Sequence, residues 1–274
     1  MQIKNRIFFD TNTLEILRSS NSIEAPRLRQ YIGSRYRYII SPLTVAELLR
    51  GIHNGDPTKF YRDKEKALIL RGNPPPRVIE LPGKFVFREV ISRVVEFPGD
   101  TRNLFHCAFK QLLRAKSREE LQSGPKGVST DNLNRFHIEE EKKHYRMLEN
   151  VRSGSYHRPK DALEWVKTSF LSSTGIKDEF HESEWKRIAA AMEIAFAMNS
   201  VLCDRATKKA NTYNFEKHKS DWIDVQQLFY LAAPDVTFIT RDERLRNTIK
   251  GICDTSRIIT LQEVFEEMSQ SRLQ

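Results

Sequence analysis

The chain has 274 residues, with 45 Lys+Arg against 36 Asp+Glu and 39% hydrophobic residues. A net charge of +9 on that composition describes a globular protein with a charged surface, which excludes a collagen, a disordered tail and a membrane-spanning bundle. Cys107, Cys203 and Cys253 lie far apart without metal or redox spacing, which predicts a reducing, cytoplasmic setting without a zinc cluster or disulfide framework.

Met1 to Arg6 leads directly into Ile7-Phe8-Phe9, which predicts no secretory leader and a first, fully buried parallel strand. The run stops at Asp10-Thr11-Asn12-Thr13, and Leu14, Ile16 and Leu17 begin a helix. Tyr36 to Ile40 reads as a second strand. Ser41-Pro42 then opens a helix expected over 43–50 and ending at Gly51. Turns are expected at 54–57, 73–76 and 81–83. From about residue 84 to 205 the pattern is helical, as in Leu104, Phe105, Ala108, Leu112 and Leu113, with turns at 123–125, 153–154 and 172–175. Strand character returns in 236–240 and 257–260, after a helix over 225–232. Strands separated by helices at both ends of the chain predict an α/β fold with a parallel sheet flanked by helices. Its core is expected over 1–84 and 205–274, with a mainly helical insertion, 85–204, packed on it.

The charge is uneven. Residues 1–100 hold 17 Lys+Arg and 11 Asp+Glu, residues 101–220 hold 22 and 16, and residues 221–274 hold 6 and 9. An acidic site in a basic body suits an enzyme that holds a cation while acting on a polyanion, although two charged helices would give the same count.

Four acidic positions fall where a parallel sheet gathers its ligands, beyond the C-terminal strand ends. Asp10 ends the first strand and Asp242 follows the late one. Glu47 lies in the helix after Ser41-Pro42, and Asp224 opens the helix leading to the late strand. Asp221 shares a helix face with Asp224, so either serves as ligand or as helix-terminus acid. Clustered carboxylates raise one another's pKa unless a cation neutralises them, and an all-oxygen donor set favours Mg²⁺ or Mn²⁺ over zinc. Taken singly, Asp10 is equally a helix N-cap, Glu47 a partner for Arg50, and Asp242 part of a charged loop.

These segments resemble the PIN-domain nucleases. Ile7-Phe8-Phe9-Asp10-Thr11-Asn12 resembles that family's opening motif, and Ser41-Pro42 through Glu47-Leu48-Leu49 its second. Asp224-Val225-Gln226-Gln227, followed by Ile239-Thr240-Arg241-Asp242, resembles the third and fourth. The resemblance covers about residues 6–52 and 220–268. It implies a PIN-like sheet and an acidic Mg²⁺ or Mn²⁺ centre with Asp10, Glu47, Asp224 and Asp242 as catalytic ligands and Asp221 beside them. It also implies hydrolysis of nucleic acid, RNA before DNA. Compact toxin members keep the second and third motifs much closer, so the spacing here weighs against a toxin with an antitoxin-like partner. Homodimerisation is frequent in the family, but no face of this sequence declares itself. A DNA nuclease using the same site and an inactive nucleic-acid-binding scaffold are the competing readings.

Asn12, Thr240 and Ser41 are expected to hold carboxylates in place, although Thr240 also suits a strand and Ser41 an N-cap. Arg35 and Arg37 beside Tyr36, together with Arg50, Arg205, Lys208 and Lys209, are candidate substrate contacts. His137 and His144 read as part of a solvated helix face, and Cys107 and Cys203 as core. No glycine-rich phosphate loop is present.

Overall fold

Ile7, Phe8 and Phe9 are each no more than 2% exposed, although successive residues of a strand point to opposite faces. Only a sheet covered on both sides buries such a run. A computed structural model describes residues 5–19, 24–53, 57–71, 78–95, 102–122, 130–174, 179–208 and 221–271.

β1 (Arg6–Phe9) is followed by α1 (Thr11–Arg18), α2 (Glu24–Arg35), β2 (Arg37–Tyr38), α3 (Pro42–His53) and α4 (Pro57–Ile69). The middle of the chain forms α5 (Pro82–Ile91), α6 (Arg102–Arg114), α7 (Arg118–Gln122), α8 (Thr130–Arg152), α9 (Ala162–Thr174), α10 (Glu182–Ala191) and α11 (Glu193–Lys208). Then come α12 (Asp221–Leu228), a 3₁₀ turn at Phe229–Ala232, β3 (Val236–Thr240), α13 (Glu243–Ile249), β4 (Ile258–Thr260) and α14 (Leu261–Gln270).

The strand order is β2-β1-β3-β4, and every pairing is parallel. Phe9 stands opposite Ile239, and Thr240 opposite Thr260, so the C-terminal strand ends share one edge. Phe8 stacks on Phe238 at 4.5 Å, and that face packs against Trp165, Ile188, Leu202 and Tyr230. Helices α9 to α11 of the middle segment therefore share a core with the strands. Ile7, Phe9 and Ile239 face the other side, against Leu14, Leu17, Ile32, Leu49, Phe105 and Val264. At the opposite sheet edge, the Arg6 guanidinium bridges Asp235 at 2.6 Å and Glu89 at 2.6 Å, tying β1 to the start of β3 and to α5. Among the described residues no helix is long and apolar enough to cross a membrane.

Several local expectations need correction. Helix α3 runs through Gly51 to His53, because Leu48, Leu49 and Ile52 keep burying one apolar face, which outweighs the roughly 1 kcal/mol cost of a helical glycine. Pro82-Gly83 opens α5, with proline in the first helical turn where its missing N–H costs nothing. Pro57 begins α4, and residues 172–174 end α9. The second strand spans only Arg37–Tyr38, with a further bridge from Ile40 to Val78. Ser153-Gly154 does turn, with Gly154 at φ 73°. Cys107 is exposed, whereas Cys203 is buried. His144 is buried, 6.3 Å from the Trp222 ring, because α8 lies across α3, α11 and α12. The expected turns at 54–56, 73–76 and 123–125, together with Gly175, lie outside the described residues.

Candidate functional site

The apolar strands end in residues that cannot continue into the core, and their side chains stand at the common C-terminal edge. Asp10 caps α1: its Oδ1 accepts the Thr13 N–H, satisfying a helix-start donor. Its Oδ2 accepts the Thr240 hydroxyl and, at 3.2 Å, the Arg241 N–H. Asp242 caps α13, with Oδ1 accepting the Arg244 N–H at 2.9 Å and standing 3.3 Å from the Arg244 Nε. The Thr240 Oγ1 accepts the Asp242 N–H at 2.9 Å. Adjacent helices add Glu47 from α3 and Asp221 and Asp224 from α12.

These carboxylates line one cleft of about 410 Å³ together with Thr11, Asn12, Thr240, Gln227 and Arg205. Met198, Phe238 and Leu245 provide apolar lining. Burial pushes the Glu47 carboxyl up to about 7, and repulsion from Asp10 adds to it, against a hydrogen bond with Thr11 and the charges of Arg50 and Lys66. Burial likewise raises Asp224 well above the usual carboxylate range, reinforced by Glu47, Asp221, Asp10 and Asp242. The Glu47 Oε2 and the Gln227 Oε1 are buried without a hydrogen-bond partner. Buried acceptors of this kind carry a desolvation cost that a cation or a donor would relieve.

The donor set is all oxygen and anionic, the chemistry of a hard divalent cation. Among the described residues, however, no group of three or more His, Cys, Asp or Glu side chains stands ready-made to hold a metal ion. Asp10 and Asp242 each use one carboxylate oxygen to accept a backbone N–H as a helix cap.

The other expected contacts divide. Arg205 lines the cleft, and its Nη2 donates to Thr248 at 2.9 Å. Lys208 lies one turn further along α11, and Lys209 lies outside the described residues. Arg50 follows Glu47 on α3 and bridges to Glu141 at 2.8 Å. Ser41 is buried and bonds the Thr44 N–H at 2.9 Å, the N-cap reading of that residue. Arg35 and Arg37 are not brought to the cleft. Arg35 pairs with Glu267 on α14 and lies over the Tyr31 ring, whereas Arg37 is paired with Arg6 at the N-terminal strand edge.

Four polar cleft residues escaped sequence reasoning: Thr11, Gln227, Arg244 and Thr248. The spacing of Gln227, three after Asp224 on α12, put it on the same helix face and could have found it. Thr248 carried no such signal, since only the packing of α11 on α13 brings it to Arg205. No family model, curated protein or solved structure matches this chain.

Proposed function

We propose that this chain is a PIN-type, divalent-metal-dependent nuclease that hydrolyses phosphodiester bonds in nucleic acid, with RNA as its first substrate. One observation carries the reading: carboxylates from three distant parts of the sequence line one cleft at the C-terminal edge of a parallel sheet. Burial there, with repulsion among the acids added to it, leaves Glu47 and Asp224 reluctant to ionise, which is the kind of perturbation that clusters at functional sites.

Asp10, Glu47, Asp224 and Asp242 are the residues that would hold Mg²⁺ or Mn²⁺, with Asp221 beside them. When bound, the cation supplies a Lewis acid that lowers the pKa of water and neutralises charge at the reacting phosphate. Thr240 fixes the Asp10 oxygen that faces β3. Glu47, whose carboxyl burial raises to about 7, would have to be deprotonated to serve as a ligand. Arg205 offers a guanidinium to a phosphate entering the cleft. In-line attack would leave a 5′-phosphate and a 3′-hydroxyl.

The test incubates the purified chain and an Asp10→Asn variant with single-stranded and structured RNA, and with DNA, with and without Mn²⁺. Cleavage that needs both Mn²⁺ and Asp10 is the expected result. Equal cleavage by both proteins would identify a contaminant and remove the reading, and faster DNA cleavage would reassign the substrate.

A further inference from the structure

A second cavity, about 550 Å³, opens between α1, α2 and α14. Leu17, Leu28 and Leu261 form its buried walls, and Ile16 and Phe265 line it half-buried. Its volume lies within the roughly 300–1,000 Å³ of small-ligand sites. Two charged groups, Arg241 and Glu243, line the same space.

Arg241 joins this cavity to the carboxylate cleft. Its backbone N–H donates to Asp10 Oδ2 at 3.2 Å, while the exposed residue lines the neighbouring pocket. The strands repeat that adjacency, since Thr240 in the cleft is registered against Thr260 in the pocket. Helix α1 divides the two spaces, offering Thr11 and Asn12 to one and Ile16 and Leu17 to the other.

The geometry points to a nucleotide subsite: the pocket takes one base of the strand whose phosphate enters the cleft, and Arg241 neutralises the phosphate between them. This rests on the nuclease reading for its choice of strand, but its binding chemistry can be measured separately. A largely apolar pocket lined by one aromatic ring, Phe265, suits a base, because stacking and apolar contact are tolerant of sequence. Arg241 makes no ion pair among the described residues, so its charge is available to an anion. Glu243 adds an acceptor for an amino group on the base edge.

The probe is adenosine 5′-monophosphate added to the full chain in EDTA, followed by saturation-transfer NMR. Transfer to the base protons is expected. Ser19→Trp, which fills the pocket from its rim, should abolish it, and Arg241→Ala should weaken binding by about tenfold. Arg37→Ala, at the opposite sheet edge, should bind as the wild type does. No transfer in the wild type, or equal transfer in Ser19→Trp, would overturn the subsite. So would complete displacement by equimolar inorganic phosphate, which would report a bare anion site. Because the probe needs neither Mn²⁺ nor cleavage, the subsite stands or falls independently of the cleavage assay.

Discussion

Thr240 and Asp10, 230 positions apart in sequence, are joined by a hydrogen bond from the threonine hydroxyl to Asp10 Oδ2. The same hydroxyl oxygen accepts the Asp242 N–H at 2.9 Å. One side chain thus sets the orientation of the first acid and the start of the helix that carries the last. A β-branched residue suits the strand, but only one with a hydroxyl does both tasks.

Thr240→Val keeps the shape and removes the hydroxyl. The buried group leaves partners unsatisfied on both sides, so the variant should lose about 1–3 kcal/mol in urea unfolding. Thr240→Ser should recover most of that loss. Wild-type stability in Thr240→Val would show that the two bonds contribute nothing.

The pH dependence follows from Glu47. Its folded pKa, about 7, lies above the ordinary 4.5, so the folded chain holds the proton more tightly than the unfolded chain. Any stability linked to that proton is fully present below the ordinary value and is lost as pH rises through the folded one. Metal-free wild type should therefore lose about 1–3 kcal/mol between pH 5 and 8 relative to Glu47→Gln, measured by denaturant titration at each pH.

A divalent cation should reverse that slope. Mn²⁺ affinity, measured by calorimetry, should rise about tenfold or more from pH 5.5 to 7.5 as Glu47 surrenders its proton, and Asp224, also raised by burial, adds to the pH dependence. Asp224→Asn should flatten the rise. Wild-type affinity and slope in that variant would remove Asp224 from the ligand set.

Arg6 offers a control away from the cleft. Arg6→Met strands Asp235, and leaves Glu89 with Arg88 alone, both acids being partly buried, so it should cost about 1–3 kcal/mol in unfolding. Because the clamp holds the opposite sheet edge, Mn²⁺ affinity should not change.

The thiols should separate by environment. Exposed Cys107 should react rapidly with a disulfide reagent, whereas buried Cys203, whose thiol burial pushes up to about 11, should react only on unfolding. Two fast thiols in the native Cys107→Ser variant would contradict the packing around α11.

The parallel sheet and its acidic edge were legible because apolar runs stop abruptly at Asp10 and at Thr240, and only a strand buried on both faces reads that way. Local patterns failed where tertiary packing decides. Nothing near Gly51 announces that Ile52 still has a core to reach. The charges around His144 suggest solvent, yet three helices cover it. Arg35 and Arg37 flank an aromatic residue much as a nucleic-acid grip would, but β2 places Arg37 at the wrong end of the sheet and Glu267 occupies Arg35. Both ends of the carboxylate cluster were readable in one dimension, but the space dividing it from the α1–α14 pocket was not.

The central pairing of β1 with β3 also governs when this molecule becomes complete. Loop closure across most of the chain precedes any contact between these strands, and such non-local pairing slows folding. A chain made from its N-terminus carries Asp10 and Glu47 as isolated acids until residues beyond 240 have emerged. The carboxylate cleft is therefore among the last features to form, and no fragment missing either β1 or β3 contains it.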